Sequence, residues 1–217
     1  MTTTAFTSPP QDATICTLDD VKAYLRLPTS DTAYDTEITN LLYVATDLIE
    51  VYCNRPIVPK VMPTESHDGW AGDTIMLLYR PVVSVQSVTE YWSTGGPHVL
   101  SEVSPSSPGD GYQLEARTGR LIRSFDGVWP KPWFPGSRNV VVDYTAGYAT
   151  MPPTLWQAAR EFVAHIFAQG EQFNPVGIPK FSGNESVDQL DQKPGLWAGV
   201  PFRIETKLKP FRRHSIA

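Results

Sequence analysis

Apolar positions recur with two different periods along this chain, and the period changes twice. Between residues 17 and 54 apolar side chains return every three or four positions, which predicts helices at 17–27 and 33–54. Between 57 and 144 short runs rich in Val, Ile, Leu and Tyr are separated by Gly, Pro and Ser, which predicts strands. A third helical pattern covers 153–169. The pattern therefore predicts an α+β protein, in which a small helical bundle carries an inserted antiparallel part resembling a β-sandwich or barrel.

Local signals set the expected ends of these elements. Thr17 followed by Asp20 has the form of a capping box, and Pro28 ends the first helix. The second helix carries one apolar stripe over four turns, formed by Ile38, Leu41, Leu42, Ala45, Leu48, Ile49 and Tyr52. Strands are expected near 57–62, 74–79, 82–92, 98–103, 112–117, 120–124 and 139–144. Thr118-Gly119 predicts a tight hairpin between the strands expected at 112–117 and 120–124.

The stretch 139–168 joins the last strand to the third helix. Gly147 and Pro152-Pro153 suit a turn and a helix entry, because Gly accepts unusual backbone angles and the first helical turn needs no N–H partners. Tyr144, Gly147 and Tyr148 are expected to act as a fixed elbow. The third helix has more apolar surface than a surface helix needs, with Trp156 and Phe167 widening its face. We expect it to pack on the 33–54 helix, and on its other flank against the sheet or a neighbouring subunit.

Composition adds an asymmetry of charge. The chain has 217 residues and a net charge of −5. Residues 200–217 hold five basic residues and one acid, so they carry +4 and the remainder carries −9. Residues 1–16 are predicted to be flexible, and 171–217 to form an extended arm with isolated aromatic anchors. A basic tail on an acidic body favours a docking arm, and a frayed, solvated terminus is the equally weighted alternative.

The sequence argues against several classes of function. The start of the chain lacks the basic and apolar regions of a signal peptide, and no apolar run approaches membrane-spanning length. Cys16 and Cys53 form no disulfide framework, which favours reduced thiols and synthesis in a cytoplasm. Phosphate-loop, dinucleotide, hydrolase and zinc-protease motifs are missing, so no catalytic, cofactor or metal residues are predicted. Glu161 and His165 are expected to form an ordinary exposed pair.

Two loops have side chains that are candidates for binding a ligand. His67, Asp68 and Asp73 surround a Gly-Trp-Ala-Gly turn, which fits a plain turn better than a calcium loop. The loop with Trp129, Trp133 and Phe134 is a candidate stacking platform for a glycan or a peptide. The alternative, favoured about two to one because aromatic residues mostly serve packing, is that the indoles fold back onto the sheet.

Five segments, taken in chain order, resemble the head–tail connector proteins of long-tailed bacteriophages, also called adaptor or head completion proteins. They are LDDVKAYLRL (18–27), IEVYCNRP (49–56), LLYRPVVSVQSV (77–88), GYQLEARTGRLI (111–122) and the strand, turn and helix of 140–167. Each segment alone is a weak signal, and their shared order is more specific. The segment after Gly170 matches nothing particular in that family.

The resemblance implies a non-enzymatic subunit of a dodecameric ring in the virion neck, made in the host cytoplasm. Such a ring joins the capsid portal to a stopper or tail protein, and DNA crosses its channel without sequence-specific binding or any membrane. Residues 17–56 and 149–170 would form the ring core, 57–148 the inserted β-domain, and 171–217 a portal-docking arm. The candidate docking residues are Trp197, Phe202, Lys207, Lys209, Phe211, Arg212 and Arg213. Trp156 and Phe167 are the candidates for packing between subunits.

Overall fold

The computed structural model describes residues 14–70, 72–93, 95–172 and 200–213. Within these ranges, four α-helices and nine strands confirm the α+β class. The helices are α1 (Leu18–Leu25), α2 (Asp35–Cys53), α3 (Pro153–Gln172) and α4 (Phe202–Leu208), and a 3-10 turn (Lys209–Phe211) follows α4. The chain divides into two compact parts: a helical unit formed by Met1–Ile57 and Thr150–Ala217, and a β unit formed by Val58–Ala149.

The helix ends follow the local chemistry of the sequence. Thr17 and Asp20 form the expected capping box: the Thr17 hydroxyl accepts from the Asp20 N–H at 3.2 Å, and the Thr17 N–H donates to the Asp20 carboxylate at 2.9 Å. Helices α1 and α2 both end on a left-handed residue, Arg26 (φ 59°) and Asn54 (φ 53°). Such a residue turns the chain so that its N–H reaches the last carbonyls of the helix.

The strands of the β unit form one open, mixed sheet. They are β1 (Lys60–Val61), β2 (Glu65–His67), β3 (Thr74–Met76), β4 (Val82–Trp92), β5 (Gly96–Glu102), β6 (Asp110–Glu115), β7 (Arg120–Phe125), β8 (Trp129–Pro130) and β9 (Val140–Ala146). The order is β1-β9-β4-β5-β6-β7-β3, with β2 also on β9 and β8 on β7. The sheet does not close, which corrects the barrel-like arrangement expected from the strand spacing.

One pair in this sheet also departs from the expected antiparallel pattern. β6 runs parallel to the end of β5, through the pairs Ser101–Gly111 and Glu102–Tyr112. In the intervening loop, Ser104 and Ser107 exchange backbone hydrogen bonds of 3.1 and 2.9 Å, which reverses the chain once. Because β6 runs parallel to β5, the chain reverses a second time before β6 begins.

The core of the β unit draws on strands from both ends of the sheet. β9 shows the period of two most clearly, because Val140, Val142, Tyr144 and Ala146 are buried and the residues between them are partly exposed. The same core includes Ile75 from β3 at the opposite edge. The sheet is therefore curved around its apolar face.

In the helical unit, α3 lies against α1, α2 and α4. Its packing on α2 was expected. On its other side α3 packs against α1 and α4 of the same unit, and its contact with a neighbouring subunit stays a prediction. Among the described helices, none combines the length and apolarity required to cross a bilayer.

Candidate interaction surfaces

Helix α4 is packed onto the helical unit and does not extend away from it. Val200, Ile204 and Leu208 are fully or almost fully buried, with exposures of 0%, 3% and 0%. Ile204 and Leu208 are four residues apart and lie on the face of α4 that packs against α2 and α3, and Val200 precedes the helix. The expectation of an extended arm is therefore wrong for residues 200–213. The spacing was present in the sequence, but the scarcity of aliphatic residues across 171–217 concealed it.

An ion pair joins α3 to α4. Both carboxylate oxygens of Glu161 lie 2.6 Å from the Lys207 ammonium, and Gln157 donates to the same carboxylate at 2.5 Å. Burial has the largest effect on Glu161 and raises its pKa, but the hydrogen bonds and the positive charges of Lys207 and Arg203 together lower the pKa below its ordinary value. Glu161 is buried, so the exposed pair with His165 that was expected from the sequence is corrected.

Two hydrogen bonds hold the segment after α4 at the end of α2. The Arg55 Nε donates to the carbonyl of Phe211 at 2.7 Å. The N–H of Arg213 donates to the carbonyl of Cys53 at 2.8 Å. Since the last carbonyls of a helix have no partner within it, this segment supplies a cap from outside the helix.

The outer side of the segment 202–212 is aromatic and basic. Phe202 is 42% exposed, and the Lys209 ammonium lies 5.6 Å from the centre of its ring. Arg203 and Arg212 are also exposed, and the Arg212 guanidinium lies 5.2 Å from the ring of Tyr52. We call Phe202, Arg203, Lys209 and Arg212 the basic face. Of the candidate docking residues, Phe202, Lys209 and Arg212 are in this face, and Trp197 lies outside the described residues.

Trp156 belongs to a second surface of the helical unit. It is half-buried, and its indole N–H donates to Asp20 at 3.2 Å. The Arg160 guanidinium lies 4.0 Å from the Trp156 ring and 5.1 Å from the ring of Tyr24, which is 39% exposed. Tyr24, Trp156 and Arg160, here called the aromatic–arginine patch, thus form an ordered cation–π stack at the surface.

Phe167, the other candidate for packing between subunits, is covered within its own chain. Its ring is 6% exposed and meets the ring of Tyr34 edge to face, with 5.5 Å between the centres. It therefore contributes to the core of the helical unit.

The aromatic loop of the β unit is split between core and surface. Trp133 is 1% exposed, its backbone N–H donates to the Gly72 carbonyl at 2.9 Å, and Phe134 stacks on Trp92 with 5.5 Å between centres. Only Trp129, 69% exposed, remains open to solvent. The candidate platform of three rings is not formed, and the alternative in which the loop folds back holds for Trp133 and Phe134.

A buried charge cluster, which sequence reasoning missed, anchors this loop. Arg123 is completely buried and forms two hydrogen bonds, of 2.6 and 2.9 Å, with Asp110. Its guanidinium also lies 3.5 Å from the buried Glu90, which accepts from the N–H of Phe134 at 2.6 Å. The hydrogen bonds from Arg123 hold the pKa of Asp110 below its ordinary value, against the effect of burial. A lone Arg in a strand gives no sequence signal of burial, because its partners come from other strands.

Polar residues of the turn after β2 form contacts with other residues of the protein. Asp68 accepts hydrogen bonds from the Arg138 N–H at 2.6 Å and from the Ser137 hydroxyl at 3.1 Å. His67 lies 3.0 Å from the Glu65 carboxylate. Across the described ranges, no three His, Cys, Asp or Glu side chains come together as a metal site.

The two surfaces of the helical unit combine exposed aromatic and basic side chains, which is typical of surfaces that bind other proteins. A sequence profile of head completion proteins matches residues 14–178. The chain belongs to the head completion protein family. It is accordingly a structural protein of the head–tail connection.

Solved structures similar to this head completion protein come from gene transfer agent particles. One, the neck of an empty particle computed with C6 symmetry, has 17% identity and a TM-score of 0.55, and the match covers 97% of this chain and 95% of that chain. A chain of the native virion has 18% identity and a TM-score of 0.54, with 98% and 95% covered. A native neck computed with C12 symmetry has 16% identity and a TM-score of 0.52, with 97% and 94% covered. No curated protein sequence matches the chain.

Proposed function

We propose that this head completion protein is the adaptor subunit of a ring, expected to be a dodecamer, in the virion neck. The ring joins the capsid portal to a stopper or tail protein, and DNA passes through its channel. The observation that carries the proposal is the family match over residues 14–178. The likeness of the fold to chains from neck structures with C6 and C12 symmetry supports it. On this proposal the protein is made in the host cytoplasm and incorporated into the virion.

The charge of the chain suits a passage for DNA. The net charge is −5, and tight phosphate binding, which depends on clustered Lys and Arg, would hold the DNA in place. A predominantly acidic subunit allows the duplex to slide without sequence-specific contacts.

The basic face is the part of the helical unit best suited to dock on the portal. Phe202 supplies an exposed aromatic anchor, and Lys209 and Arg212 supply positive charge beside it. Lys207 and Arg213, named with them from the sequence, form contacts with Glu161 and Cys53 inside the helical unit. The docking role therefore centres on Phe202, Lys209 and Arg212, facing an acidic surface of the portal.

Point substitutions test this docking better than deletion does. Removing residues 171–217 would uncover the apolar groove filled by Val200, Ile204 and Leu208, so the helical unit itself would be destabilised. The test therefore uses the triple variant F202A/K209E/R212E. Its control is Arg117→Glu, a charge reversal at an exposed loop position of the β unit.

Capture of the purified variants by immobilised portal rings is the measurement. The triple variant is expected to lose portal binding and keep the circular dichroism and melting temperature of the native protein, while Arg117→Glu binds normally. Undiminished capture of the triple variant would refute the docking assignment. Electron microscopy of the native protein mixed with portal tests the ring itself, and the absence of a ring on the portal would refute the adaptor function.

A further inference from the structure

We propose that neighbouring copies in the ring meet head to tail, with the outer stripe of α2 on one copy packed against the aromatic–arginine patch of the next. The inference rests on the proposed ring and adds the two surfaces that form its repeating contact. The outer stripe of α2 consists of Leu41, Val44, Leu48 and Val51.

The outer stripe is not part of the apolar core of the helical unit. The core side of α2 is formed by other positions, among them Ile38, Leu42, Ala45 and Ile49, which are buried. Val44 and Val51 are 47% and 56% exposed, and Leu41 and Leu48 are only half-buried. An apolar row on the outside of a helix that already has a complete core side is typical of a face that packs against a partner.

The spacing of the stripe fits a helical partner. Its four positions are separated by three, four and three residues, which is the a/d pattern of helix-to-helix packing. The row spans three turns, so it presents a seam and not an isolated contact.

The charge around the stripe limits what can pack on it. Helix α2 contains no Lys, Arg or His, and Glu37 and Asp47 are exposed beside the stripe. Pairing of two α2 helices would place acidic surfaces together without any base to offset them. The partner surface must therefore combine apolar area with positive charge.

The aromatic–arginine patch meets both requirements on the same chain. Tyr, Trp and Arg are the residue types enriched at the energetic centres of protein interfaces, and here they are stacked in advance of binding. Among the described residues Arg160 has no ion-pair partner within 4 Å; the nearby Asp20 carboxylate is held by Thr17 and Trp156. The guanidinium can therefore pair with a carboxylate of another copy.

A second copy is the occupant that the geometry favours. The two surfaces differ in chemistry and complement each other, and a contact between unlike surfaces of identical subunits generates a ring when its rotation closes. Fold likeness to chains from neck structures with C6 and C12 symmetry agrees with a contact of this type.

Cysteine crosslinking in portal-bound rings tests the contact. The probes are Val44→Cys in the outer stripe and Ala23→Cys, an exposed α1 position beside Tyr24. Cys16 and Cys53 are buried, and burial raises the pKa of their thiols to about 12 and about 11, so the native cysteines remain largely unreactive toward a short bismaleimide. The double variant is expected to give a ladder of covalent multimers. A mixture of the two single variants is expected to give only dimers, and each single variant alone is expected to give no crosslinked product.

A matched pair of substitutions provides a second measurement. Val44→Asp is expected to reduce the fraction of protein in rings by roughly tenfold or more. Val99→Asp, at a valine of the β unit that is 73% exposed, is expected to leave ring formation unchanged. Both variants should keep the native melting temperature to within a few degrees.

The outcomes separate this inference from the proposed function. Rings that form normally with Val44→Asp, or that give no crosslink between positions 44 and 23, would overturn the contact and leave the ring intact. Crosslinking of Val44→Cys with itself would show pairing of α2 with α2 and would also overturn it. A native protein that forms no ring on the portal would refute the adaptor function and this contact together.

Discussion

Glu161 of α3 and Lys207 of α4 lie 46 residues apart in the chain, and both Glu161 oxygens are 2.6 Å from the Lys207 ammonium. The carboxylate is 7% exposed and the ammonium-bearing side chain 26%. The pair fixes the register of α4 on the helical unit, because Ile204 and Leu208 enter the core on either side of Lys207. The basic face is therefore presented on a fixed helix.

The first prediction concerns the loss of this pair. Lys207→Met should lower the free energy of unfolding by about 1–3 kcal/mol, because the buried Glu161 loses its charged partner. Urea denaturation measures the change, and hydrogen exchange should show lost protection in 202–208. Arg203→Met is the control: Arg203 is 71% exposed and 3.9 Å from the same carboxylate, so its effect should stay within about 0.5 kcal/mol. Equal effects of the two variants would contradict the assigned role of Lys207.

The second prediction is a dependence of α4 docking on pH. The pKa of Glu161 is lowered in the folded protein from an ordinary value of 4.5, so its stabilising effect is present above that value. It is lost as pH falls from 4.5 through the lower folded pKa. Protection of 202–208 from hydrogen exchange, corrected for the intrinsic exchange rate, should decrease over this window. In Glu161→Gln the decrease in protection over this pH window should be missing. If the variant shows the same pH profile as the native protein, Glu161 is not the titrating group.

The third prediction concerns the buried charges of the β unit. Arg123→Met should destabilise the β unit by about 3–5 kcal/mol, because it leaves the buried Glu90 without its cation. Arg120→Met, three residues earlier on the same strand at an exposed position, should change stability by about 0.5 kcal/mol or less. Urea denaturation, monitored by tryptophan fluorescence, distinguishes the two variants. A small effect of Arg123→Met would mean that packing of the loop is independent of the cluster.

The fourth prediction separates two tryptophans of one loop. Trp133→Ala should cost about 3–5 kcal/mol, since a large side chain that is 1% exposed is removed from the core. Trp129→Ala, at a position 69% exposed, should change the melting temperature by no more than a few degrees. Thermal denaturation measures both variants. Similar losses would show that Trp129 also supports the loop.

The fifth prediction concerns Gly147, in the expected elbow after β9. Gly147 has a φ of +130°, and a Cβ there would lie 2.5 Å from the Val58 carbonyl oxygen. Gly147→Ala should therefore add a steric clash to backbone strain of about 1–3 kcal/mol. Gly96→Ala isolates the backbone effect, because Gly96 has a φ of +82° with no atom within 4 Å of an added Cβ. Equal losses of stability in the two variants would exclude the clash.

Local signals in the sequence were sufficient for most of the secondary structure. The capping box of Thr17 and Asp20 and the alternation along β9 each depend on residues close together in the chain. The Thr118-Gly119 turn lies where β6 and β7 were expected to meet, and Gly119 has the positive φ of 69° that such a turn needs. For the same reason the family could be identified from short segments in a fixed order.

The sequence by itself determined the α+β class, the order of the first three helices and of seven strands, and the family, since periodicity, caps and turns are properties of neighbouring residues. The short strands β2 and β8 and helix α4 were not predicted. Only the tertiary structure decided that α4 folds back, that Glu161 is buried against Lys207, and that Trp133 is core while Trp129 is surface. These outcomes depend on partners far away in the chain, such as Glu90 for Arg123. Whether a charged or aromatic side chain is buried depends on which strands and helices surround it, and no local pattern of residues encodes that arrangement.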